Sequence, residues 1–387
     1  MFKVKLMNKI AKVGTDVLSK EQYEIGENIE NEDAILVRSA ALHDMPLGEN
    51  LKAIARCGAG VNNIPIEKCT KAGVVVFNTP GANANAVKEL AIAALILASR
   101  DVIGGVEWAK TLKGQENVAK AVEAGKSAFV GHELAGKTLG VVGLGAIGGM
   151  VANAAISLGM SVMGYDPYIT AKAAWSLAPS VKQAADYAEI FKTCDYITLH
   201  VPATPQTKNM INEKTLAQMK EGVRILNLAR ADLVNADDLK KAIEAKKVAK
   251  YITDFPTEET VCVEGIVAIP HLGASTVESE DHCAIMAAQQ LDEFLACGNI
   301  RNSVNFPTVG LPRSENPRVC IMNENIPNML SQITAAFSSK NINIENMANG
   351  SKGEVAYTIV ETNVPANEEI VKTLQAINGV FGVKVFA

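Results

Sequence analysis

Gly143-Leu-Gly145-Ala-Ile-Gly148 follows the apolar run Leu139–Val142 and opens an Ala-rich segment with a helical repeat of apolar residues. A second apolar run, Ser161–Tyr165, ends at Asp166. Strand, glycine turn, helix and strand in this order form the unit that binds a dinucleotide. Gly143 suits the tight turn, Gly145 lets a pyrophosphate approach, and Gly148 lets helix and strand pack closely. Ala146 and Ile147 open the helix, whose free N–H groups and dipole favour phosphate. Asp166 lies about 20 residues beyond the glycines, where a carboxylate accepts from ribose hydroxyls and repels a 2′-phosphate. The expected cofactor is therefore NAD rather than NADP.

Two further residues close later apolar runs. Arg230 ends ILNLAR, and a guanidinium at a strand end grips a carboxylate through paired hydrogen bonds. His271 ends VAIPH before the small-residue turn LGAST, and imidazole is the side chain suited to taking a hydroxyl proton. Glu259 lies in the polar TEET loop between them, where a carboxylate beside imidazole would hold its tautomer. Of the other histidines, His43, His132 and His282 sit in unpromising contexts. His200, at a strand end before Val-Pro, is the rival, with a backbone role near the nicotinamide ribose.

These residues need a scaffold that presents strand ends. Asp33–Ser39, Leu51–Arg56 and Val74–Asn78 read as strands, with helices over Ile66–Ala72 and from Ala86 to about Ser99. The alternation resumes after Asp166 with strands at Asp195–His200, Val223–Leu228, Ala249–Asp254 and Ile266–Ile269. Helices span Asn212–Met219, Ala236–Ala245 and about Val277–Cys297. Strand–helix alternation implies parallel sheets covered on both faces, with ligands beyond the carboxyl ends of the strands. Residues 299–317 are rich in proline and polar side chains and read as a linker. The remainder has the order βαββαβ, with a hairpin signal at NGSKG, and predicts a ferredoxin-like unit. The expected fold class is thus α/β: two Rossmann-like doubly wound domains and a small split βαβ domain.

The 387 residues, 48% hydrophobic and 20% charged, suit two or three soluble domains. A net charge of −5 without a basic block argues against nucleic acid as a partner. The N-terminus lacks the apolar core of a secretory signal, and Leu90–Ala98 is too short to cross a bilayer. Seven scattered cysteines, without CxxC pairs or histidines at zinc spacing, read as free thiols in a reducing cytoplasm, with no metal expected.

GLGAIG, YDP, LHVPATPQTKNMIN, ILNLAR, DFPTEE and PHLGAST, in that order over about residues 30–310, resemble the D-isomer-specific 2-hydroxyacid dehydrogenases. The resemblance implies that Arg230 binds the substrate carboxylate, His271 is the acid/base and Glu259, rather than Glu258, is its partner. It implies NAD contacts at Gly143, Gly145, Ala146, Ile147, Gly148, Asp166, Val201, Leu228, Ala229, Arg230, Asp254, His271, Leu272, Gly273 and Ala274. It also implies a discontinuous substrate-binding domain over 1–97 and 277–312, enclosing an NAD domain over 98–276. The loop between Glu259 and His271 is shorter than the family's and lacks its Glu-Pro ending.

Residues 318–387, with NENIPNMLSQITAAFSSKNINI, resemble the ACT modules of members that oxidise 3-phosphoglycerate. That resemblance implies L-serine as an effector at an ACT–ACT interface, touching Asn325 and Asn343, and a homodimer or homotetramer. Asn323 and Asn328 depart from the module's usual His and Gly. Arg38 and Arg56 match substrate positions and are the cations expected for a phosphate, while Lys126 reads as a solvated lysine. A dehydrogenase of glycerate or hydroxypyruvate type, and a non-catalytic NAD-sensing protein, are the alternatives.

Overall fold

The computed structural model describes residues 1–386; the predicted end of the third domain at residue 387 lies outside them. The chain forms two compact units, one from Met1–Asn83 with Val277–Ala387 and one from Ala84–Thr276. The expected first crossing at residue 97 falls inside the helix Ala84–Ser99, which belongs whole to the second unit. Its Ala91, Ala94 and Leu95 are fully buried in that unit's core beside Val151, Ala152 and Ala155 of the helix Ala146–Ser157.

The second unit is built on a seven-stranded parallel sheet. Its order is Ile266–Ala268, Val248–Thr253, Val223–Asn227, Tyr196–Leu199, Thr138–Val142, Ser161–Tyr165, Lys182–Gln183. Chain order reverses between Thr138–Val142 and Tyr196–Leu199, so the crevice for a ligand opens beyond those two strand ends. Strands such as YITL and ILN are buried along their length, as expected where helices cover both faces.

The first unit holds two sheets. Five parallel strands run in the order Tyr23–Gly26, Phe2–Met7, Ala34–Val37, Ala53–Arg56, Val75–Phe77, a doubly wound arrangement. The first two of these were not anticipated. FKVKLM and YEIG are half-exposed and polar enough to lack an apolar run.

The second sheet is antiparallel, ordered Ile344–Lys352, Val355–Thr362, Arg318–Glu324, Val380–Phe386, with helices Met329–Ser339 and Glu368–Gln375. This is the expected ferredoxin-like unit. Its period-two alternation is read on both faces. Val319 and Ile321 pack under the two helices, while Cys320, Met322, Tyr357 and Ile359 join the core of Phe77, Phe294 and Phe306. The fully buried Arg318 donates to Glu361, 2.6 Å away, and to four backbone and side-chain oxygens between Cys297 and Pro312.

The 299–317 stretch is no loose linker. Ser303 and Asn305 bond to the backbone of Val74 and Val76, and Phe306 is fully buried. Asparagine and serine, read as loop formers, supply here the hydrogen bonds that stitch the stretch to a sheet edge.

Candidate active site

The glycine loop follows the buried strand Thr138–Val142. Gly143 has φ +89° and donates its N–H to Tyr165 O at 2.9 Å. A Cβ there would lie 2.7 Å from His200 O, so the turn admits only glycine. A Cβ at Gly148 would lie 1.9 Å from Gly143 O, whereas one at Gly145 would meet nothing within 4 Å. The loop is thus tight where it packs and open where a pyrophosphate approaches. Asp166 accepts from Leu144 N–H and Tyr168 N–H, both at 2.9 Å, and each oxygen keeps lone-pair capacity for a ribose hydroxyl. Ala146 and Ile147 start the helix beside it, and Val201 walls the turn at Gly143. Open space at Gly145, helix N–H groups and an anchored carboxylate fit an adenine dinucleotide.

His200 is part of that wall rather than a base. Its Nε2 pairs with Thr198 Oγ1 at 2.9 Å, Nδ1 is buried without a partner, and burial pushes its pKa down to about 4. It is neutral at pH 7.

The catalytic candidates gather at the ends of neighbouring strands. Val223–Asn227 ends in the fully buried Asn227, which sequence reasoning passed over although it stands inside ILNLAR. Asn227 accepts from the N–H groups of Ala229 (3.2 Å) and Arg230 (3.3 Å), and donates to Arg230 O (2.8 Å) and Tyr251 Oη (3.0 Å). One amide therefore shapes the Leu228–Arg230 turn and leaves the Arg230 side chain exposed.

Asp254, at the end of Val248–Thr253, is 1% exposed and accepts from Gly273 N–H at 3.0 Å. A Cβ at Gly273 would lie 2.9 Å from that oxygen, which explains glycine here. Burial raises the Asp254 pKa, opposed by the Gly273 N–H and by the charges of His271 and Arg230. Its second oxygen, Oδ1, is buried and unpaired, an acceptor awaiting a donor.

His271 is exposed, as is Leu272; Ala274 is half-buried. The His271 ring lies 4.6 Å from the Phe255 ring, tilted by 45°, and the Arg230 guanidinium carbon lies 5.7 Å from the same ring. The structure thus brings Arg230, His271 and Asp254 together. Glu259 stands apart: its exposed carboxylate accepts from Thr257 and faces Lys240, which together hold it below the usual carboxylate range. Among the described residues it makes no ion pair with His271. The short loop is closed on itself by Thr257 and Thr260, whose side chains hydrogen-bond, and Glu259 shares a cavity wall with Phe255.

In the first unit Arg38 makes an ion pair with Glu280 at 2.6 Å, and Arg56 donates to Arg38 O at 3.1 Å. The Glu280 partnership was not foreseen, since it joins positions far apart in the chain. Lys126 pairs with Glu123.

In the ferredoxin-like unit Asn325 donates to Gly353 O at 3.0 Å, and Asn343 to Glu345 at 2.7 Å. They line different cavities: Asn325 one of about 230 Å³ with Asn323, Asn343 one of about 420 Å³ with Thr334. Within one chain the two expected effector residues are not brought together. Asn328 has φ +72°, a conformation that asparagine tolerates in place of glycine.

Residues 94–275 match the family described as D-isomer specific 2-hydroxyacid dehydrogenase, NAD binding domain. A hydroxypyruvate reductase of Thermotoga maritima is 34% identical, over 75% of this chain and 97% of its own length. The chain belongs to the D-isomer-specific 2-hydroxyacid dehydrogenases, and residues 94–275 form its NAD-binding domain. A D-3-phosphoglycerate dehydrogenase of Synechocystis is 33% identical over 79% of this chain, which covers 56% of that relative. The chain spans only 53–60% of the length of the phosphoglycerate dehydrogenases it matches. A solved structure of NAD+-bound 3-phosphoglycerate dehydrogenase from Entamoeba histolytica is 28% identical, with TM-score 0.61, covering 79% of this chain and 98% of its own.

Proposed function

We propose that this chain oxidises the 2-hydroxyl of D-3-phosphoglycerate to 3-phosphohydroxypyruvate with NAD, the first step of L-serine biosynthesis. The observation that carries the reading is the convergence of Arg230, His271 and Asp254 on the sheet that also carries the glycine loop. NAD, when bound, supplies the hydride acceptor. Gly143–Gly148 and Asp166 would hold its pyrophosphate and ribose, and the unpaired Asp254 Oδ1 would accept from an amide N–H of the cofactor. Arg230 grips the substrate carboxylate by two parallel hydrogen bonds. His271 takes the hydroxyl proton at an imidazole nitrogen as the hydride leaves C2, and Glu259, held by Thr257 in the free chain, swings to it as carboxylate partner. Val201, Leu228, Ala229, Leu272, Gly273 and Ala274 complete the cofactor's surroundings.

The substrate-binding domain in this reading is discontinuous, expected over 1–97 and 277–312 but with its first crossing moved to residue 83, and Arg38 and Arg56 are the cations for the phosphate. Residues 318–387 are a regulatory ACT domain with L-serine as effector, in a homodimer or homotetramer. Seven free cysteines support work in the cytoplasm.

A second reading, a dehydrogenase of glycerate or hydroxypyruvate, is favoured by the Arg38–Glu280 pair, which offsets the charge of Arg38. NADH production across 3-phosphoglycerate, glycerate and lactate, with and without serine, separates them. The proposal expects 3-phosphoglycerate to be the fastest substrate and Arg56→Gln to harm it far more than glycerate. Glycerate or lactate outrunning 3-phosphoglycerate would overturn the substrate and leave the class.

A further inference from the structure

Phe255 is a large aromatic residue that belongs to none of the hydrophobic clusters around it. It follows Asp254 directly, and its backbone is held at two points. The Phe255 N–H donates to Thr253 Oγ1 at 3.0 Å, and Pro256 restricts the preceding residue to extended conformations. The ring is half-buried, so burying apolar area is not its main use. On one side it lines a cavity of about 180 Å³ with Ala231, Tyr251 and Thr260. Elsewhere it meets two side chains only through its π system: the His271 imidazole at 4.6 Å and the Arg230 guanidinium at 5.7 Å.

Both neighbours are exposed, and neither has another aromatic contact among the described residues. The Arg230 side chain has one hydrogen bond among the described residues, from Nη1 to its neighbour's carbonyl, Ala229 O, at 2.6 Å. His271 has no ion pair with Glu259. A phenyl ring is thus the aromatic contact common to the group that would hold a carboxylate and the group that would take a proton, beside the Asp254 carboxylate whose field reaches both.

We propose that Phe255 is a positioning residue, its ring holding the Arg230 guanidinium and the His271 imidazole at a common spacing and thereby fixing how a 2-hydroxy acid is presented between them. The role rests on the dehydrogenase reading above. An aliphatic residue of similar bulk would fill the same space without a π face, so Phe255→Leu separates positioning from packing.

The experiment pairs kinetics with His-selective isotope labelling, since the chain has only 5 histidines. Phe255→Leu should lower kcat/KM for the best 2-hydroxy acid by about tenfold, through both a higher KM and a lower kcat, because two aromatic contacts are lost together. NADH affinity should be unchanged. The His271 ring-proton resonances should move downfield as the ring current disappears, and Phe255→Tyr should restore both readouts. An active wild type whose Phe255→Leu variant keeps its kinetics and its His271 resonances overturns the role of Phe255 alone. A wild type that oxidises none of the 2-hydroxy acids overturns the dehydrogenase reading and this role with it.

Discussion

Two histidines follow strands of the same parallel sheet, and the chain treats them in opposite ways. His200 is locked to Thr198, with Nδ1 buried and its carbonyl against Gly143. His271 stands exposed with a single aromatic neighbour. The first belongs to a cradle made of backbone: a left-handed glycine, helix N–H groups, and a carboxylate tied to two amides. The second belongs to a corner made of long side chains leaning on one phenyl ring. A backbone-built site is preorganised by covalent geometry and packing, whereas a side-chain-built site must be supported residue by residue. The glycine cradle and the candidate catalytic corner are therefore stabilised by different physics within one sheet.

The comparison breaks most visibly at the exposed imidazole. His271→Ala should cost about 10²–10⁴ in kcat, the usual contribution of a positioned acid/base, and change NADH affinity far less. A variant that retains near-wild-type kcat would show that the corner is not where the proton goes.

The buried imidazole should instead report through stability. Its folded pKa of about 4 lies below the ordinary 6.5, so the unfolded chain takes the proton first as pH falls. The contribution is complete above 6.5 and is lost progressively between 6.5 and about 4. The slope approaches about 1.4 kcal/mol per pH unit. Thermal melts should thus fall more steeply over that window in the wild type than in His200→Gln. Parallel curves would mean that His200 is not shut away from protons.

What could be read from the chain beforehand follows the same division. Gly143 and Gly148 declare themselves because glycine is needed where Cβ would collide, Gly145 because it leaves open the space a pyrophosphate needs, and the spacing to Asp166 is local. Strands ending at Asn227 and Thr253 announce themselves as apolar runs. Phe2–Met7 and Tyr23–Gly26 do not, because half-exposed strands carry lysine and glutamate. Contacts across long chain separations were invisible: Arg38 with Glu280, and the face of Cys320 and Tyr357 packed on Phe294. The pairing of Glu259 with His271 was inferred from motif spacing, and spacing does not reveal that in the free chain Thr257 holds this carboxylate. Asn227 and Phe255 lay in plain sight inside ILNLAR and DFPTEE, but an amide and a phenyl ring look structural until their partners are known.

The cradle is tested by a single methyl group. At Gly148 a Cβ would sit 1.9 Å from Gly143 O, a backbone atom that cannot swing aside. Gly148→Ala should weaken NADH binding by about 100-fold, roughly 2.7 kcal/mol, in a fluorescence titration. Wild-type affinity in this variant would mean that the loop yields, and the contrast between a rigid cradle and a supported corner would fail.

The smallest expected effect probes the least settled member of the corner. Glu258 and Glu259 are adjacent and both exposed, yet Glu259 alone is held by Thr257 and lies in the field of Lys240. That setting lowers its pKa, so in the free chain its charge survives to lower pH than that of an ordinary carboxylate. If Glu259 swings to His271 when substrate binds, Glu259→Gln should lower kcat by about tenfold, the weak end of acid/base support. Glu258→Gln should leave kcat unchanged. Equal losses in the two variants would point to general charge in the loop rather than a specific partner. A loss confined to Glu258→Gln would move the role by one residue, and would show that the shortened loop has shifted the motif without abandoning it.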